Sequence, residues 1–130
     1  MYRGRLKYGN HPTYVGDIRF DSTKEAQYYV YLRDLQTKGE IKDLRLQVHF
    51  ELVPGIYETR YKHFKRKADE PYQYTVQEPI EYVADFVYTA VTTGKEMVVD
   101  VKSEITRKDK VYILKKKMMR ALHGIEITEV

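Results

Sequence analysis

The sequence has no cysteine, which excludes a disulfide framework and any Cys-type zinc site. It has no apolar run approaching the roughly 18 residues of a membrane span. Its opening segment, MYRGRLKYGNHP, lacks the apolar core of a secretory leader. Its four histidines, His11, His49, His63 and His123, show no metal-ligand spacing, so zinc is not expected. Repeats, low-complexity tracts, a helix-turn-helix and a zinc finger are also missing. The expectation is a soluble, cytoplasmic protein with no membrane partner and no dedicated module for reading nucleotide sequence.

The 130 residues fit one domain, and a chain of this size buries roughly two thirds of its unfolded surface without help from disulfides or structural metal. Net charge is +4, from 23 basic and 19 acidic residues, and its distribution says more than its size. Between 107 and 120, seven basic residues (Arg107, Lys108, Lys110, Lys115, Lys116, Lys117 and Arg120) stand against the single acid Asp109. A second cluster holds Arg60, Lys62, Lys65, Arg66 and Lys67. Clustered positive charge favours a polyanionic partner through phosphate contacts and counterion release. A solvated helix face and a solvated loop account for it equally well.

Residues 1–15 read as an arm or short strand. Asp21-Ser22 opens an amphipathic helix with Ala26, Tyr29, Val30, Leu32 and Leu35 at apolar positions, and Gly39 is its stop. Leu44 to Val53 alternates, with Leu44, Leu46, Val48, Phe50 and Leu52 on one face of a half-buried strand. Pro54-Gly55 breaks it. The tyrosine-rich, charged stretch from about 54 to 79 reads as an extended loop or a hairpin insertion. Strands over Ile80–Ala90 and Glu96–Lys102 follow, then a basic helix from about Lys108 to Leu122 with Val111, Leu114, Met118 and Leu122 at core spacing. Ile125 to Val130 alternates as a last strand. The order predicts a mixed α/β domain, a central sheet flanked by helices.

YVADFVY and VVDVK place charged residues inside apolar strands. Asp100 and Lys102 are two apart and share a face. A hairpin symmetric about Thr93-Gly94 sets Val87 opposite Asp100 and Asp85 opposite Lys102. Asp85, Asp100 and Lys102 then project together, with Ala84, Phe86, Tyr88, Met97, Val99 and Val101 on the other face; a one-residue slip would separate them. Two converging carboxylates bind a hard cation such as Mg²⁺, which activates water and stabilises charge on a phosphoryl centre. A lysine two residues on can orient that water or neutralise developing charge. An ordinary pair of solvent-facing strand residues explains Asp-x-Lys as well. Ser22-Thr23-Lys24-Glu25 matches a capping box, and on these residues alone Glu25 is a cap. Gln47 reads as a solvent-facing or sheet-edge glutamine, and Glu104 as a strand-end surface residue. Bases can stack on tyrosines, but packing accounts for most of the 13, Tyr28, Tyr31 and Tyr88 included; Tyr112 is placed behind the site.

The chain resembles a phage-borne branch of the PD-(D/E)XK nucleases whose domain is of unknown function. The resemblance lies in KYGN (Lys7–Asn10), FDSTKEA (Phe20–Ala26), GEIKDLRLQ (Gly39–Gln47), the YVADFVY–VVDVK pair and VYILKKK (Val111–Lys117), and lapses over about 54–79. It implies a restriction-endonuclease-like core, a central mixed four-stranded sheet flanked by helices, in a single domain over 1–130. It further implies that Asp85 and Asp100 bind metal, Mg²⁺ with Mn²⁺ able to substitute, and that Lys102 is the motif lysine. Glu25 resembles the first-helix glutamate of many members, which moves it from cap to site and to the metal. Lys115 resembles a catalytic lysine on the helix after the motif, with Lys117 a weaker second. Ala84 stands where a proline often precedes the Asp, a departure that removes no ligand.

The function so implied is a Mg²⁺-dependent endonuclease for DNA, structure-selective for branched or junction forms, in phage recombination or replication and in the host cytoplasm. Nucleic-acid contacts are expected from Lys108, Lys110, Lys116, Lys117 and Arg120, and from Lys65 and Arg66. A resolvase of four-way junctions needs two active sites, hence a homodimer, with the last strand and first helix as candidate contact surfaces. The competing functions are a non-catalytic DNA-binding accessory protein and a nuclease subunit that needs a partner, such as a phage recombination or replication protein, for specificity.

Overall fold

The computed structural model describes residues 11–130, so the Lys7–Asn10 block lies outside the described residues. A hairpin of β1 (Thr13–Val15) and β2 (Ile18–Phe20) brings Phe20 into the interior. The helix α1 (Thr23–Thr37) starts at Ser22, whose hydroxyl accepts the Glu25 N–H at 3.1 Å, and Gly39 follows its end with a left-handed φ of +78°. A 13-residue strand, β3 (Ile41–Val53), leads into β4 (Ile56–Lys62) and β5 (Glu70–Gln77), which pair only with each other. The insertion over 54–79 is therefore a hairpin. Next come β6 (Ile80–Ala90), β7 (Glu96–Asp100), the short α2 (Glu104–Arg107), α3 (Lys110–His123) and β8 (Thr128–Glu129). The sequence pattern missed α2 and placed Glu104, which opens it, at the end of a strand.

The central sheet has four strands in the order β3-β6-β7-β8 and is mixed, as expected. β3, β6 and β7 are antiparallel neighbours, while β8 runs parallel to β7. A parallel neighbour needs a crossover rather than a tight turn, and α2 with α3 supplies it. Two apolar clusters lie on opposite faces of the sheet, because neighbours in one strand divide between them: Phe86 and Val99 pack with Ala26 and Leu32 of α1, Val87 and Val98 with Tyr112 and Met119 of α3.

The face assignments need three corrections. First, β3 does not keep its alternating residues on one side. Leu44 and Leu46 pack with the α1 cluster, whereas Val48, Phe50 and Leu52 pack with the α3 cluster. The switch falls at Gln47, whose left-handed φ of +50° interrupts the pleat. Across from it in β6, Ala84 joins Tyr82 on the α3 side rather than Phe86 on the α1 side.

Second, the β6–β7 hairpin pairs Phe86 with Val99 and Val87 with Val98. The loop closes through Ala90 N–H to Lys95 O at 2.9 Å and Gly94 N–H to Ala90 O at 2.8 Å, so it is centred on Thr92-Thr93. The register differs by two residues from a turn about Thr93-Gly94. A two-residue shift preserves parity, so Asp85 and Asp100 still approach each other.

Third, α3 does not pack through Val111, Leu114 and Leu122, which are all exposed; Tyr112 and Met119 are its buried residues, with Met118 partly covered. Most apolar residues of this helix form an arc nearly half its circumference wide, from Leu114 through Val111 to Tyr112, so spacing alone fits more than one packed stripe within it. In α1, Val30 and Tyr31 are likewise exposed, while Ala26 and Leu32 are buried and Tyr29 and Leu35 partly so.

The two helices should therefore respond differently to truncation. Leu32→Ala, at a side chain 0% exposed, is expected to cost about 3 kcal/mol. Leu114→Ala, at 58% exposure, should stay within about 0.5 kcal/mol. Urea midpoints at constant slope measure both. A large loss at Leu114 would mean that α3 packs through the stripe its sequence spacing favours.

Candidate active site

The ladder between β6 and β7 stops at Phe86–Val99. One position further, the Val101 N–H donates to a side chain, Asp85 Oδ2, at 2.8 Å. β7 ends at Asp100, and the chain is held from its other side by Val130, the residue after β8: Val130 N–H donates to Asp100 O at 3.0 Å, and Lys102 N–H to Val130 O at 3.1 Å. Backbone bonds thus fix Asp100 and Lys102 where the strands part.

Asp100 is 1% exposed. Its Oδ2 accepts the Tyr82 hydroxyl at 2.6 Å and lies 3.3 Å from Lys102 Nζ. Its Oδ1 is buried and has no hydrogen-bond donor. The Lys102 ammonium sits 4.8 Å from the centre of the Tyr112 ring, so Tyr112 does pack behind the site. On the other side, Gln47 Nε2 donates to Glu25 Oε1 and to Asp85 Oδ1, both at 3.2 Å. The Ser22 hydroxyl caps the backbone of Glu25, yet the Glu25 carboxylate turns inward to Gln47. Half a capping box and a site residue thus coexist at one position.

A continuous chain of polar groups results: Glu25, Gln47, Asp85, Asp100, then Tyr82 and Lys102. A cavity lined by Phe20, Leu46, Glu25 and Gln47 opens at one end. At the other end is a groove of about 260 Å³, lined by Tyr82, Lys102, Tyr112 and Lys115. Lys115 therefore shares the groove with Lys102 but bonds to none of the carboxylates among the described residues. Sequence reasoning underrated Gln47 and overlooked Tyr82 and Lys24, whose ammonium donates to Lys102 O at 3.4 Å. The available signal for Tyr82 was a hydroxyl-bearing residue three positions before Asp85 in a largely apolar strand.

The expected DNA contacts divide between two parts of the fold. Lys65 and Arg66 lie in the loop joining β4 and β5, whereas Lys108 and Lys110 stand at the start of α3, and Lys116, Lys117 and Arg120 share an outer hollow with Arg107. Lys116 is tied to Glu129 at 2.5 Å, which already satisfies its charge.

Burial pushes the Glu25 carboxyl up to about 7, helped by the negative charges of Asp85 and Asp21. Burial also pushes Asp100 up to about 7; the Asp85 carboxyl, close enough to share a proton, adds to this, against the pull of the Tyr82 hydroxyl and Lys102. Burial and the Asp100 charge raise Tyr82, which stays a donor.

Such a site is short of positive charge: three carboxylates, Glu25, Asp85 and Asp100, face the one ammonium of Lys102. Among the described residues, no three His, Asp or Glu side chains are gathered closely enough to enclose an ion by themselves. Mg²⁺ does not need three: it commonly takes one or two carboxylates and keeps several waters. The unpartnered Asp100 Oδ1 beside Asp85 fits that requirement.

A family described as "Protein of unknown function (DUF1064)" matches residues 5–127. No curated protein and no solved structure matches the chain. Among the described residues, no helix is long and apolar enough to cross a membrane.

The raised carboxyls fix the sign of a pH effect. Both bind protons more tightly folded than unfolded, so their stabilisation is complete below pH 4 or so and is lost as pH rises through about 7. In EDTA, the melting temperature should fall between pH 5 and pH 8. Asp100→Asn should flatten that fall and raise the midpoint at pH 8 by about 3 °C or more. A wild-type midpoint that climbs over this range would contradict the charge assignment.

Proposed function

The chain belongs to the DUF1064 family, and we propose that it is a divalent-metal-dependent nuclease with a restriction-endonuclease-like core, hydrolysing phosphodiester bonds in DNA. The observation that carries this reading is the Asp100 carboxylate, buried with one oxygen unpartnered beside a second carboxylate and a lysine. A buried carboxylate left short of partners costs several kcal/mol, and a cation at Oδ1 removes that cost.

Asp85 and Asp100 would hold the ion, with Glu25 facing its surroundings. A bound Mg²⁺ or Mn²⁺ supplies Lewis-acid stabilisation of charge on the phosphate and lowers the pKa of water. The remaining work falls to the chain itself. Tyr82 holds Oδ2 of Asp100 and leaves Oδ1 for the ion. Lys102, held against Asp100 and the Tyr112 face, presents positive charge to a developing oxyanion. Gln47 keeps the Glu25 and Asp85 carboxylates together, and its left-handed backbone stores on the order of 1–3 kcal/mol of strain. Lys115 lines the groove through which a phosphate backbone would approach Lys102.

Branched DNA as the preferred form, and a phage recombination or replication setting, rest on the sequence resemblance. A junction resolvase acts through paired sites, so that preference entails a homodimer.

The test uses an end-labelled four-way junction and the matching linear duplex, with Mg²⁺ or Mn²⁺. Metal-dependent cutting should fall by at least about 100-fold in Asp100→Asn and Lys102→Ala. Gln47→Ala, which removes the amide shared by the Glu25 and Asp85 carboxylates, should lose roughly 10- to 100-fold. Equal cutting of both DNAs removes the branch preference but keeps the site. Binding without scission by the wild-type chain sinks the nuclease reading in favour of an accessory protein or a partner-dependent subunit.

A further inference from the structure

The hairpin of β4 and β5 adds nothing to either apolar cluster, since no residue of its two strands is buried. A two-stranded ribbon standing alone in water is marginally stable. This one is held by its ladder from Ile56–Gln77 to Lys62–Glu70 and by local contacts, including Arg60 stacked over Tyr74 and paired with Glu58 at 2.6 Å.

Its two faces differ in chemistry. The register puts Tyr57, Thr59, Tyr61, Pro71, Gln73 and Thr75 on one face. That face has no charge and, beyond the ring of Pro71, no aliphatic side chain, but hydroxyls and an amide along its length. The opposite face carries Glu58, Arg60, Lys62, Glu70, Tyr72 and Tyr74, and Ile56 and Val76 are exposed at the end of the ribbon nearest the sheet. At the tip, Asp69 pairs with His63 at 2.8 Å and Glu70 with Lys67 at 2.9 Å. Lys62, Lys65 and Arg66 have no acidic partner among the described residues and are exposed.

We propose that this ribbon is a second DNA-contacting element that lies in the major groove of a duplex arm. Its uncharged Tyr57–Thr75 face meets base edges, while Lys62, Lys65 and Arg66 hold the flanking phosphates. The major groove, about 12 Å wide, admits a two-stranded ribbon. The amide and hydroxyls can donate to and accept from base edges without bringing a charge that must be paired. A protein or lipid partner would favour a continuous aliphatic face; the Tyr57–Thr75 side offers only Pro71, and the exposed Ile56 and Val76 are confined to the sheet end of the ribbon. The ribbon leaves the sheet at Val53 and Ile80, about 17 Å along β6 from Asp85 at strand rise. Groove contact therefore falls roughly five base pairs or more from a phosphate drawn to Lys102 beside Asp100. The position of that phosphate rests on the nuclease reading above; the groove contact itself does not.

The experiment measures binding of a labelled 25-base-pair duplex to the full-length protein in EDTA, where nothing is cut, over a series of salt concentrations. Lys62→Ala, Lys65→Ala and Arg66→Ala combined should weaken binding at least about tenfold and lower the magnitude of the salt slope by about 2 to 3. Wild-type protein should protect guanine N7 from methylation in the major groove. Thr59→Ala with Gln73→Ala should lose that protection while keeping the salt slope. An unchanged slope in the triple variant, no N7 protection by the wild type, or a requirement for single-stranded DNA overturns the proposal. A chain that binds duplex in this way but never cuts it keeps the ribbon and discards the nuclease. A chain whose metal-dependent cutting and binding ignore all five substitutions does the reverse.

Discussion

Where β6 and β7 part, the Val101 N–H is satisfied by the carboxylate of Asp85 instead of by a backbone carbonyl. An unpaired N–H in this interior would be costly, so Asp85 is held in place by a backbone requirement whatever else it does. Its second oxygen takes the Gln47 amide, which in turn holds Glu25. The same divergence leaves Asp100 as the last residue of β7, sealed by Tyr82 on one side and by the Val130 backbone on the other. One side chain standing in for a ladder bond thereby determines where the carboxylates meet and where Lys102 emerges.

Much of the architecture was legible in the residues. Ser22 and Gly39 bracket the first helix because a hydroxyl cap and a left-handed stop are local chemistry, readable without the fold. The Asp-x-Lys spacing placed two charged groups on one side of a strand, and parity survived even though the hairpin turned one residue earlier than its Thr-Gly pair indicated. The mixed four-stranded sheet also followed from the order of elements. The packed side of α3 did not. Leu114, Met118, Val111, Leu122, Met119 and Tyr112 spread over nearly half the circumference of that helix, and only the neighbouring strands decide which part of that arc they cover.

Gln47 marks a different limit. Alternation assigns it to the outside of β3, and nothing in a glutamine announces a left-handed backbone, since glycine and asparagine are the usual occupants of that region. Its conformation is imposed by what surrounds it: a strand that must serve α1 before this point and α3 after it, and two carboxylates that need a donor. Glu25 was ambiguous for a related reason. Capping and site geometry looked exclusive, but the backbone N–H of Glu25 takes the cap while its side chain remains available.

The passage of β3 from one face of the sheet to the other has a mechanical consequence. Leu44 and Leu46 belong to one half of the interior, and Val48, Phe50 and Leu52 to the other, so a single stretch of chain is anchored in both. Neither half can loosen without tugging on its counterpart, and the carboxylates lie at the crossing. The polar centre thus works as a rivet through two layers: what tightens or repels there is felt across the whole cooperative unit.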